Sequence, residues 1–199
     1  CLFGRGAQCR RNFRVPVQAI ALPRSSVMAK IEQIQIKFVP VEDRLLMRVA
    51  GDEGLEFRFW LTRRFVKMIW PALGKALELS PTIQTQASPI AQREVLAFEH
   101  EKAVSDADFK TPYKESPKTL PLGGEPILLS KMQLRREQDG SFAMSLAPET
   151  GAGIDLAINN KLLHSVAELM ANGAQLAQWE LPPLVAATVA TQPETPTVN

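Results

Sequence analysis

Two stretches of this sequence repeat one order of hydrophobic patterns, and the repetition limits the folds open to the chain. Residues 44–77 align with residues 141–174 without a gap. In both, apolar residues first alternate with polar ones, as in half-buried strands, and then recur at helical spacing. Thr62 aligns with Asn159, and both residue types favour the N-cap of a helix. The pattern predicts an α+β fold of antiparallel β-meanders with helices on one face, in two similar βββα halves.

Identity between the two stretches is low. The identical pairs are Met47/Met144, Ala50/Ala147 and Gly54/Gly151. Chance alone gives this level, so common descent is not shown, and coincidence within an ordinary α+β domain is the alternative. The apolar phase and the caps nevertheless agree, and those are the features that folding requires.

The first predicted half covers residues 31–79. Apolar alternation predicts three strands, separated by short breaks at 40–43 and 51–54. Short connections favour an antiparallel meander. A helix should start after Thr62 and be kinked or divided at Pro71, because proline cannot donate to the preceding turn.

A middle segment, residues 80–126, separates the halves. Residues 80–88 form a polar connector, and the serine–proline pair at 88–89 predicts a helix that ends near residue 106. Four prolines and a glycine pair in residues 107–126 exclude regular structure there. This part is therefore an extended linker or an ordered strap.

The second predicted half covers residues 127–181. Its first strand is expected to run without interruption from Ile127 to Leu134. Asp139-Gly140 is a strong hairpin signal and precedes two further strands and the last helix. Together the segments predict a single α+β domain over residues 28–181.

The two ends of the sequence differ in composition from this domain. Residues 1–27 contain five arginines and both cysteines but no lysine, aspartate or glutamate. Three explanations are open: a targeting peptide, a lipoprotein N-terminus acylated at Cys1, or upstream sequence with Met28 as the true start. We expect residues 1–27 to be a disordered or non-native extension. The Pro- and Thr-rich residues 182–199 are expected to form a disordered tail.

The overall composition is ordinary for a soluble globular protein. Of 199 residues, 45% are hydrophobic and 22% are charged. No run of about 18 apolar residues is present, so no membrane-spanning helix is predicted. We therefore expect a soluble, cytoplasmic protein.

The sequence contains no recognised catalytic motif. His100 lies between Glu99 and Glu101, and three consecutive helical residues point in different directions, which argues against a metal site. His164 is expected on the surface or half-buried. No nucleophile elbow, Walker loop or dinucleotide-binding motif occurs. No catalytic residue, metal or cofactor is predicted, and a binding or accessory function is favoured over an enzyme of unrecognised type.

A protein partner, or self-association, is the first expectation for binding. Arg63 and Arg64 occupy the first turn of a predicted helix, where backbone N–H groups also favour an anion. They could bind an acidic partner or pair with acids of the fold. Trp60 and Trp70 are added as candidates because aromatic and arginine side chains often anchor interfaces.

Nucleic acid is the alternative expectation. Lys37, Arg48, Arg58 and Trp60 are predicted on the outward positions of the first three strands. Basic residues beside an aromatic ring can neutralise phosphates and stack on unpaired bases.

Three segments carry a resemblance to other proteins: EFRFWLTRRFVKMIWPAL, FEHEKAVSDADFKTPY and GIDLAINNKLLHSVAELM. They resemble a group of bacterial conserved hypothetical proteins over about residues 31–181. That group has no assigned activity, so the resemblance implies no site residue. The strand–helix order is also similar in outline to PUR-type nucleic-acid-binding repeats, which have an extra strand in each repeat. This second likeness is one of fold outline only.

Overall fold

The computed structural model describes residues 27–28, 30–115 and 119–184. The helices are α1 (Arg63–Leu77), α2 (Pro81–Gln84), α3 (Pro89–Ser105) and α4 (Asn160–Leu176). The strands are β1 (Val27–Met28), β2 (Ile31–Val39), β3 (Arg44–Gly51), β4 (Glu56–Thr62), β5 (Ile127–Leu128), β6 (Lys131–Arg136), β7 (Phe142–Ala147) and β8 (Ile154–Ile158). The predicted α+β class is confirmed.

The strands form two sheets with the same internal order. Sheet one has the order β2-β3-β4-β5, and sheet two has the order β6-β7-β8-β1. In each, three consecutive strands pair antiparallel as a meander, and a two-residue strand then pairs parallel to the last of them. The short strand always comes from the chain just before the other meander. The two halves therefore exchange strands reciprocally, which agrees with the predicted duplication.

The first strand of half two is interrupted, contrary to prediction. Leu129 donates its backbone N–H to the carbonyl of Trp60 in sheet one, at 3.0 Å. The next residue, Ser130, donates to the carbonyl of Ala147 in sheet two, at 3.2 Å. The chain thus changes sheets between adjacent residues, and β5 and β6 belong to different sheets. Apolar alternation continues across this point, so the pattern alone predicted one strand.

The predicted helix starts are confirmed by their caps. The side chain of Thr62 accepts from the Phe65 N–H at 3.2 Å, and that of Asn159 accepts from the Leu162 N–H at 2.8 Å. Each bond satisfies one of the N–H groups that a helix leaves free at its start. Ser88 caps α3 in the same way. The aligned turns before β4 and β8 also correspond, since Gly54 and Gly151 both have positive φ.

The helices connect the halves. Helix α4 packs on β2 of sheet one, and α1 packs on β6 of sheet two as well as on β4. Gly173 of α4 lies so close to β3 that an added Cβ would come within 2.9 Å of a methyl carbon of Leu45. Apolar side chains from both sheets, α1 and α4 form one continuous core. Neither half encloses its own core.

The structure excludes one of the two outcomes expected at Pro71 and changes the prediction for the polar connector. Helix α1 continues through Pro71 without being divided. Pro71 and Lys67 are both exposed, so the Lys67 carbonyl that loses its helical donor can be solvated. The polar connector contains the short helix α2, because Ile83 is buried against the core while its neighbours remain exposed.

The Pro-rich segment is an ordered strap where it is described. Residues 107–115 and 119–126, called the strap below, contain no helix. Thr119 pairs with the β-strand backbone, donating to the Gly54 carbonyl and accepting from the Glu56 N–H, both at 2.9 Å. The strap crosses the outer face of sheet one, the face turned away from the core.

The predicted terminal segments lie mostly outside the described residues. Of the N-terminal extension, Val27 lies in β1, and residues 1–26 are not described. Of the predicted tail, residues 182–184 are described, and residues 185–199 are not. The carbonyl of Pro182 accepts the indole N–H of Trp70 at 2.7 Å, so the chain there is held against α1.

Candidate ligand-binding site

The four residues predicted to bind nucleic acid do share the outer face of sheet one. Arg48 lies opposite Arg58, and Leu46 lies opposite both Trp60 and Lys37. Lys37 is exposed, and Arg58 and Trp60 are half-buried. Arg48, however, is only 7% exposed because the strap covers it. The face therefore does not present a continuous basic surface.

Arg48 belongs to a buried ion-pair network instead. Glu56, 1% exposed, accepts hydrogen bonds from Arg48 at 3.2 and 3.3 Å, from Arg58 at 2.6 Å and from the Tyr113 hydroxyl at 2.8 Å. Glu115 of the strap accepts two more from Arg48, at 2.6 and 2.8 Å. The guanidinium also stacks on the Tyr113 ring, 4.1 Å from its centroid. These contacts fasten the strap to sheet one.

The contacts within this network shift the pKa values of its members. Hydrogen bonding to Glu115 raises the pKa of Arg48, and the same contact lowers the pKa of Glu115. Burial, followed by the bond to Glu56, raises the pKa of Tyr113. All three groups therefore keep one charge state near neutral pH, as a structural clamp requires.

The residues predicted to bind a protein partner do not form one patch. Arg63 and Arg64 are exposed, and neither forms an ion pair within the described part of the chain. The predicted pairing of these arginines with acids of the fold is thus not found there. Trp70 is only 4% exposed and its N–H is bonded to Pro182, so its ring is not available to a surface partner. Trp60 is half-buried on the outer face of sheet one.

A cavity of about 730 Å³ lies between α3, α4 and residues 178–184. Alanines at 167, 171 and 174 follow one side of α4, and Ala97 of α3 also lines the space. Because these side chains are small, the chain that passes over the helices does not close the gap. Trp70, Trp179 and Leu184 supply apolar walls. The cavity therefore exists because small side chains line it on both packed helices.

A histidine pair and a carboxylate lie at one wall of this cavity. His100 of α3 contacts His164 of α4, with 3.1 Å between their Nδ1 atoms. The Nε2 of His100 is 3.3 Å from a carboxylate oxygen of Glu168, whose other oxygen accepts from the Asn172 amide at 3.1 Å. His100 and Glu168 line the cavity, and His164 lies behind them. Both ring nitrogens of His100 are engaged.

The sequence did not predict this cluster. His164 is 1% exposed, not on the surface or half-buried as expected. Its contact joins residues 64 positions apart on two helices, and neither helix carries a spacing that indicates the other. Across residues 30–115 and 119–184, no group of three or more His, Cys, Asp or Glu side chains is arranged to hold a metal ion.

The burial of His164 should make stability depend on pH. Desolvation, with a smaller contribution from His100, lowers the pKa of His164 from 6.5 to about 4. Between these values the unfolded chain binds a proton that the folded chain excludes, so stability is lost as pH falls through this window. We expect this histidine to account for a loss of about 2–3 kcal/mol between about pH 7 and pH 4.5.

Urea unfolding of the wild type and of His164→Leu at both pH values measures this contribution. On acidification, the variant should lose about 2–3 kcal/mol less stability than the wild type, because it has no imidazole at position 164 to protonate. His100→Gln is the matched control, since it removes the half-buried member of the pair and keeps His164, whose acid-dependent loss should largely remain. An equal loss in wild type and His164→Leu would mean that His164 is not held neutral in the folded state.

Two further findings about the chain are negative. No helix among the described residues combines the length and the apolar composition that crossing a membrane requires. Comparisons with protein-family models, curated proteins and solved structures found no match to this chain. The function of the chain is therefore inferred from its own residues.

Proposed function

We propose that this protein is a non-enzymatic binding protein and that the cavity between α3, α4 and residues 178–184 is its ligand site. The size of the cavity, about 730 Å³, carries the proposal. Small-molecule sites occupy about 300–1,000 Å³ and combine apolar walls with a few convergent polar groups. Here Trp70 and Trp179 contribute to the apolar walls, and His100 and Glu168 provide polar groups on one side.

The bonding of His100 favours binding over catalysis. A general base needs a free lone pair within reach of the proton that it removes. The Nδ1 atom of His100 contacts the Nδ1 atom of His164, and its Nε2 atom contacts the Glu168 carboxylate. Acting on a ligand would require His100 to break one of these contacts. The cluster is better suited to hold the cavity wall in place than to transfer a proton.

An acidic protein partner is the second candidate function. Arg63, Arg64 and Lys67 are exposed on the first two turns of α1, and none forms an ion pair with a described residue. Such cations are available to carboxylates of another chain. Nucleic acid is less favoured, because Arg48 is committed to the network under the strap.

Titration calorimetry with 1-naphthylmethanol, a neutral aromatic probe, tests the cavity. We expect saturable binding to the full chain and at least about tenfold weaker binding to Ala171→Phe, whose ring would occupy the space. The matched control is Ala72→Phe, an exposed alanine on α1 that does not line the cavity. Absence of binding to the wild type, or equal binding to both variants, would refute the proposed site.

A further inference from the structure

The charges around the cavity are of one sign. Glu101, Glu168 and Glu180 line it, and within the described part of the chain its lining includes no lysine or arginine. An anionic ligand would meet three carboxylates without a fixed counter-charge. A ligand with a positive charge would meet complementary charge, including that of Glu168 beside His100.

Glu168 is the carboxylate best placed to bind such a charge. Its side chain is 27% exposed, so it is partly removed from water but still accessible from the cavity. One oxygen accepts from Asn172 and the other faces His100, so the position of the carboxylate is fixed before a ligand arrives. A carboxylate has about four lone-pair positions, and these two contacts leave acceptor capacity free.

The surroundings strengthen an ion pair at this position. Attraction between opposite charges grows as water is excluded, and a charge-assisted hydrogen bond is about twice as strong as a neutral one. The apolar walls would bury the rest of the ligand, including any aromatic ring. The space is bounded by two helices and the chain segment over them, which suits a small molecule better than a folded partner.

We propose that the cavity binds hydrophobic amines: small molecules with an aromatic or aliphatic body and one protonated amine, which binds at Glu168. This inference rests on the proposed function, because it requires the cavity to be a ligand site. It adds the class of ligand and the residue that selects it. Glu101 of α3 and Glu180 of the segment over the helices add to the negative potential of the cavity.

Three probes that share a naphthyl ring and differ in charge test the selection. They are 1-naphthylmethylamine, 1-naphthylmethanol and 1-naphthylacetate, each titrated into the full chain by calorimetry near pH 7. We expect the amine to bind at least about tenfold more tightly than the alcohol, and the acetate to bind most weakly. Glu168→Gln should weaken binding of the amine far more than binding of the alcohol, and so remove the preference for the amine.

The controls separate this inference from the proposed function. Glu94→Gln removes an exposed carboxylate of α3 that does not line the cavity, and it should leave all three affinities unchanged. Should Glu168→Gln not fold, Glu101→Gln removes another carboxylate that lines the cavity and should reduce the preference for the amine. If the alcohol binds and the amine binds no better, the charge selection is wrong and the cavity remains a ligand site. If no probe binds, both proposals fail.

Discussion

Replacing Glu56 with alanine should lower the free energy of unfolding by about 3–5 kcal/mol, because it leaves the buried guanidinium of Arg48 without its interior counter-charge. Glu56 is 1% exposed and accepts from Arg48, Arg58 and Tyr113. Arg48 and Glu56 are the buried members of the Asp, Glu, Lys and Arg set in the described part of the chain. Small domains have about 5–15 kcal/mol of stability in total, so the variant should unfold at a much lower urea concentration.

Two further variants test whether charge or packing causes the loss. The double variant Arg48→Met/Glu56→Leu removes both charges and keeps apolar volume, so it should lose far less stability than Glu56→Ala alone. Glu115→Gln alters the exposed partner of Arg48, whose side chain is 69% accessible, and should cost less than the loss of Glu56. A double variant as unstable as the single one would show that the ion pair is not the source of the effect.

Local signals in the sequence predicted most of the elements. The caps at Thr62, Ser88 and Asn159 set the starts of three helices because a single side chain satisfies an N–H group three residues later. Apolar alternation predicted both meanders, since each inward set of side chains meets the core. These features depend on residues that are close together in the sequence, so the sequence shows them directly.

The strand exchange and the burial of Arg48 could not be predicted in that way. Strands β1 and β5 have two residues each, too few to show a period. Arg48 occupies an outward strand position as predicted, but the strap then covers it, and its partner Glu115 lies 67 positions away. Only the tertiary fold brings these groups together.

The candidate site could not be predicted from the sequence for a related reason. The cavity depends on α3 lying beside α4, and on the chain after α4 turning back over both helices. The alanines at 167, 171 and 174 are a visible signal at helical spacing, but small residues at that spacing are equally typical of closely packed helices. The spacing alone could not distinguish a cavity from a close contact.

Separated halves of this protein, residues 30–106 and 119–184, should each fail to fold alone. Each piece would hold a three-stranded meander without the short strand that its sheet receives from elsewhere in the chain. Because residues 30–106 lack α4 and β6, β2 would be exposed and α1 would lose its contact with β6. Chains of this size bury only about 60% of their surface even when they fold, so the loss of a shared core should be decisive.

Circular dichroism and urea titration of each piece provide the measurement. Alone, each should show little regular structure and no cooperative transition, whereas the intact chain should unfold cooperatively. Mixing the two pieces is the control for damage caused by cutting, because their complementary surfaces should restore helical signal and a cooperative transition. A cooperative transition in residues 30–106 alone would mean that half one encloses its own core. The reciprocal packing of α1 and α4 would then be an addition to two independent units and not the condition for folding.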